Sequence, residues 1–134
     1  MAFWLAESKI REQRLSGVKP ECRGLFVEEN AQVEPKAVDA LNLIGVPVKH
    51  AVEPKELERS DLEDCFLCLC MTQEHKAIVK SKFGFNATTI AEAADYVDIF
   101  DPYGNTIQAY VKVAKQLDTA LEQIFERYFL EDKK

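Results

Sequence analysis

Residues 98–129 read DIFDPYGNTIQAYVKVAKQLDTALEQIFERYF, and their second half is the clearest helical pattern in the chain. Ile107, Tyr110, Ala114, Leu117, Leu121, Ile124 and Tyr128 recur at alternating steps of three and four. That spacing draws one apolar stripe along a helix. Asn105 is placed to cap the start, with Gln108 three residues on to reach back, a capping-box arrangement. Asp101-Pro102-Tyr103-Gly104 comes just before it. Pro102 disfavours helical conformation at Asp101, so the carboxylate is expected on a loop beside a helix start. A carboxylate, an aromatic ring and a glycine on such a loop suit the lining of a pocket. On their own they suit a turn and a helix cap equally well, which is the commoner use.

Upstream of this stretch, strands alternate with helices. Residues 65–71, CFLCLCM, form a continuous apolar run of the length of a buried strand in a parallel sheet. Thr72 can cap a helix over 73–82, Gly84 breaks it, and residues 87–90 suit a last strand. Towards the start, residues 1–15 read as a helix ended by Ser16-Gly17, and Leu25, Phe26 and Val27 as a strand. Residues 28–32 are a polar loop. Pro35 opens a second helix that Gly45 closes, with Val38, Leu41 and Ile44 inward. Val46-Pro47-Val48 is extended, and a short charged helix is expected over 54–59. The alternation predicts an α/β sheet with helices on both faces, whose sites form beyond the carboxyl ends of the strands.

Composition narrows the function. With 134 residues, 47% hydrophobic and 30% charged, the chain suits one soluble domain with its own core. Its net charge of −6 offers no basic stripe to neutralise phosphates, which argues against a nucleic-acid partner. No apolar run reaches membrane-spanning length and no signal-peptide pattern is present, so a cytoplasmic location is expected. Three of the four cysteines (Cys22, Cys65, Cys68, Cys70) crowd into six residues, which suits reduced thiols better than a secreted disulfide framework.

The cysteine run has two chemical readings. With His75 it spells C-x2-C-x-C-x4-H, a metal pattern. Period-two alternation puts Cys68 and Cys70 on one face of a strand and Cys65 on the other, so the ligands do not converge and no metal is expected. Cys70 also precedes Lys76 by six residues across a strand end and a helix start. A thiolate phosphatase needs that layout, but with arginine in sixth place, whose fork clamps phosphate where lysine offers a point charge. Nothing around His50, His75, Ser81, Thr88 or Thr89 builds a nucleophile-and-base arrangement, and no glycine-rich nucleotide loop is present.

Taken together, the residues resemble the low-molecular-weight protein-tyrosine phosphatases, in the bacterial branch that includes protein-arginine phosphatases and is similar to arsenate reductases. Asp98-Ile99-Phe100-Asp101-Pro102-Tyr103-Gly104, with Tyr110 and the long helix, is similar to that family's general-acid loop and last helix. Leu69-Cys70-Met71-Thr72-Gln73-Glu74-His75 is similar to its third strand and Met-Thr-x-x-His sequel. Cys22-Arg23-Gly24 stands where the family has Ser-Ala-Gly, and residues 35–45 match the second helix. The resemblance implies a flavodoxin-like three-layer sandwich with a parallel sheet, a phosphomonoester hydrolase ancestry and no cofactor. It assigns Asp101 as proton donor to the leaving group and Tyr103 as a wall of the substrate pocket.

It also implies a departure. The family's first strand runs into Cys-x5-Arg-Ser-Pro and then into a helix beginning Met-Ala-Glu. Met1-Ala2-Phe3-Trp4-Leu5-Ala6 resembles that helix. Residues 1–134 are then a single domain, truncated at its N-terminus relative to the family, without the nucleophile cysteine and the phosphate-binding arginine. The absent strand is central in the family's sheet. Its absence implies a groove between the second and third strands, with unpaired backbone and apolar lining. The expectation is a phosphatase-like protein that is catalytically inactive as written, with a phosphoprotein or another chain filling the gap as partner, or a homo-oligomer formed through it. Alternatives are a phosphatase cut short by a displaced start, a non-catalytic binding domain, an enzyme using Cys70, and a structural domain whose Asp-Pro loop is only a cap.

Overall fold

The computed structural model describes residues 1–27, 34–48, 52–94 and 96–130. The stripe in the last stretch becomes α6 (Ile107–Phe125), which buries Tyr110, Ala114, Leu117, Ala120, Leu121, Ile124 and Phe125. Its cap lies one residue later than the capping-box reading places it. Asn105 is spent on the preceding turn, its N–H donating to the Pro102 carbonyl at 2.9 Å. Gly104 permits that turn with φ +81°, a conformation costly to other residues. Thr106 therefore caps, its hydroxyl accepting from the Ala109 N–H at 3.4 Å. At its far end α6 widens into a π-helical turn (Glu126–Leu130), which carries Tyr128 off the stripe to 38% exposure.

Two helices pack on α6. In α1 (Ala2–Glu12), Trp4 and Leu5 are buried. Lys9 of α1 is almost covered and reaches Asp118 at 2.9 Å and Glu122 at 2.6 Å on α6. Burial opposes its charge, but these two carboxylates outweigh that and raise its pKa. In α2 (Pro35–Leu43), Ala37 and Ala40 meet Tyr110. Pro35 opens this helix and Gly45 follows it with φ +82°, as their positions in the sequence imply.

The strands are shorter than their apolar runs. β1 (Leu69–Cys70) pairs in parallel with β2 (Thr88–Thr89), Leu69 opposite Thr88 and Cys70 opposite Thr89. The first half of the 65–71 run is lost to α3 (Arg59–Asp64), for which Cys65 is the C-cap. That helix replaces the one expected over 54–59. Its start is fixed by a capping box in which the Glu58 N–H donates to Asp61 Oδ2 at 2.9 Å and Glu58 caps in return. The strand expected at 25–27 is reduced to a parallel bridge between Gly24 and Glu56. The helix after β1, α4 (Gln73–Phe83), forms as read, with Thr72 accepting from the His75 N–H and Gly84 at φ +69° closing it. β2 runs straight into α5 (Ile90–Ala94). The 28–32 loop and His50 lie outside the described residues.

Alternation along β1 divides the molecule into layers. Leu67, Leu69 and Met71 pack on a large core built from α1, α2, α5 and α6, centred on Leu5, Leu41, Ile90, Leu121 and Ile124. Cys68 and Cys70 point to a smaller core with Leu62 of α3, Val79 of α4 and Ala87. Helices therefore cover both faces of the small parallel sheet. Beside β1 lies a cleft of about 620 Å³, lined by Arg23, Gly24 and Leu25 and by residues 67–71.

Candidate active site

The Asp98–Gly104 segment is held at the carboxyl end of β1 by its main chain. Ile99, 2% exposed, donates its N–H to the Met71 carbonyl at 2.8 Å. Asp98 Oδ2 accepts from the Gln73 N–H at 3.2 Å and so covers one of the open donors at the start of α4. On its far side the loop is tied to α2, where Lys36 Nζ donates to the Asn105 carbonyl at 2.9 Å. Anchored on both sides, the loop presents Asp101 to solvent. Its Oδ1 accepts from the Tyr103 N–H at 3.0 Å, the self-made turn typical of aspartate, and no bond is made by Oδ2 among the described residues.

Two cavities meet at this carboxylate. One is the cleft beside β1. The other, about 350 Å³ and mostly apolar, lies under the loop against the start of α1, with Phe3, Trp4, Ile99 and Phe100 among its walls. Asp101, Met71 and His75 line both. Tyr103 is 71% exposed and lines neither. Met71 and His75 were legible only as part of the Met-Thr-x-x-His sequence. Their place at the junction of the two cavities follows from the turn at Thr72 and needed the fold.

The thiols are arranged for packing. Cys68 and Cys70 share a strand face and hydrogen-bond to each other. That bond, with burial second, pushes the Cys68 thiol well up, while the same bond lowers Cys70. Cys70 is nevertheless buried in the core with Leu62 and Val79. Lys76, six residues on, is turned away to Glu92, with Nζ to Oε1 at 2.8 Å and to Oε2 at 3.0 Å. That lysine, seconded by the Thr89 N–H, holds the Glu92 carboxyl down to about 2. No phosphate cradle is assembled over Cys70. Cys22 sits on the wall of the smaller cavity, its thiol pushed up by burial.

A sequence model of the low molecular weight phosphotyrosine protein phosphatases matches residues 1–134. This chain belongs to that family. Among low-molecular-weight phosphatases it is 30% identical over 120 residues to a protein-arginine-phosphatase of Bacillus subtilis (strain 168), covering 86% of this chain and 79% of the relative. It is 31% identical over 117 residues to the low molecular weight protein-tyrosine-phosphatase PtpB of Staphylococcus haemolyticus, covering 84% and 81%. The solution structure of a low molecular weight protein tyrosine phosphatase from Bacillus subtilis superposes with a TM-score of 0.84 at 28% identity, covering 99% of this chain and 89% of the other. A YwlE mutant from the same organism gives 0.83 at 28% identity, covering 94% and 86%. The fold is the family's flavodoxin-like α/β sandwich. No helix among the described residues is long and apolar enough to cross a membrane.

Proposed function

We propose that residues 1–134 hold the acid-and-pocket half of a low-molecular-weight phosphatase site and turn nothing over by themselves. In this reading the ligand is a phosphorylated protein side chain, tyrosine or arginine, the two substrates for which the relatives are named. Asp101 is the proton donor and Tyr103 stands at the pocket mouth. The observation that carries the reading is a mismatch. Asp101 sits where two cavities meet, yet no cysteine is followed six residues on by arginine. Cys22, Cys65, Cys68 and Cys70 lead to Glu28, Met71, Glu74 and Lys76. A general acid contributes about 10²–10⁴-fold only when a nucleophile displaces the group it protonates.

The cleft beside β1 favours a second reading, in which a strand ending in Cys-x5-Arg is supplied there and Asp101 then works as the acid. Both readings give the same expectation for residues 1–134 assayed alone. A chromogenic aryl phosphate and a phosphoarginine peptide should be hydrolysed no faster than in buffer, by the wild type and by Cys70→Ser alike. Turnover that disappears in Cys70→Ser would overturn both and make Cys70 the nucleophile.

A further inference from the structure

The cleft beside β1 is walled by main chain whose hydrogen bonds point away from it. The Thr88 N–H donates to the Cys68 carbonyl at 3.0 Å, so the main-chain groups of residues 68 and 70 face β2. Those of Leu69, between them, face the other way, into the cleft. Gly24 makes both of its main-chain bonds outward, its N–H to the Lys55 carbonyl and its carbonyl to the Leu57 N–H, each 2.8 Å. The main-chain groups of neighbouring Leu25 have no main-chain partner among the described residues. Two half-sheets thus line one cleft, each with an open edge. Leu25, Leu57, Leu62, Leu67 and Val79 make it apolar. Its rim is acidic: Arg23 is already engaged by Asp61 at 3.1 Å and Glu21 at 3.7 Å, which leaves Glu74 and Asp101 unneutralised.

We propose that this cleft binds an extended apolar segment of another polypeptide, flanked by lysine or arginine, as an added strand. The open edges supply the main-chain pairing that gives strand addition its affinity. The cores on either face require successive apolar residues rather than an alternating pattern, because a strand covered on both sides is apolar throughout. The acidic rim selects basic flanks. Charge argues against a second copy as occupant. The chain carries −6, and its own apolar run at 65–71 is flanked by Asp64 and Glu74. Nothing in this proposal depends on the catalytic reading, since the segment needs neither cysteine nor a phosphate loop.

The test titrates residues 1–134 with a short fluorescent peptide, rich in valine and isoleucine and flanked by paired lysines. Two controls accompany it: the same peptide with a central proline, and the same apolar run flanked by glutamates. Saturable binding by the lysine peptide, about tenfold or more tighter than either control, is expected. Bound peptide should slow alkylation of Cys65, Cys68 and Cys70, which line the cleft, more than that of Cys22, which does not. Leu25→Pro removes one N–H from the edge where no regular strand is broken, and should weaken binding by a similar factor while leaving the circular dichroism unchanged. Equal binding of the proline peptide, or unchanged alkylation of the three thiols, overturns the proposal. So does concentration-dependent dimerisation that protects the same thiols without peptide.

Discussion

Asp101 is defined by what surrounds it more than by what it touches. Pro102 keeps it out of the helix, Gly104 closes the turn after it, and Ile99 pins the loop to β1, so an exposed carboxylate is held at a fixed place without an ionic partner. Its one bond, from the Tyr103 N–H, is made by an oxygen that asparagine also carries. Asp101→Asn should therefore change unfolding free energy by less than about 0.5 kcal/mol, the range of surface substitutions away from caps and buried networks. Urea denaturation of the two proteins measures this, and a loss above about 1 kcal/mol would make Asp101 a structural cap. At this scale the sequence was readable where chemistry is local: an Asp-Pro pair, a Tyr and a Gly specify a turn in any fold. The pairing of Lys76 with Glu92 was not readable, because it depends on β1 and β2 lying side by side.

Among the elements, legibility followed period and length. The nineteen residues of α6 repeat their stripe often enough to be unmistakable, and α4 is bracketed by Thr72 and Gly84. The strands were harder to bound, since two-residue strands are set by the partner across the sheet and not by their own residues. The end of α1 shows a different limit. Ser16-Gly17 looks like the stop, yet the helix ends at Glu12 and Arg14 takes the left-handed position with φ +53°. Leu15 N–H to Ile10 carbonyl at 3.1 Å and Arg14 N–H to Arg11 carbonyl at 3.2 Å complete a Schellman motif around it. An arginine there bears a strain of about 1–2 kcal/mol that glycine escapes, at a cost of about 0.5–1 kcal/mol in unfolded-chain entropy. Arg14→Gly should therefore leave the protein as stable or up to about 1 kcal/mol more stable, whereas the same change at Arg11, inside the helix, should destabilise it by a similar amount. Thermal melts of the two variants decide between them, and equal destabilisation would show that Arg14 is not strained.

For the whole molecule, the layers differ in how much holds them. One helical side packs α1, α2, α5 and α6 around a large core, while the other rests on Leu62, Cys70, Val79 and Ala87. Between them lies a sheet with two described strands and an open edge at Leu69. Each unsatisfied main-chain group that is buried costs about 1–3 kcal/mol, against a total stability of about 5–15 kcal/mol for a domain. The open edge is bearable because the cleft admits water, but water at the edge also gives the sheet a route to local opening. Opening there should thus precede global unfolding. We expect the amides of Cys70 and Thr89 to exchange with solvent at least about 100-fold faster than those of Leu117 and Leu121, an opening free energy roughly 3 kcal/mol lower. Native-state hydrogen exchange followed by NMR reads this residue by residue. If Cys70 and Thr89 instead exchange together with α6, at the rate of global unfolding, the sheet and the helical core are one cooperative unit and the open edge costs the fold nothing.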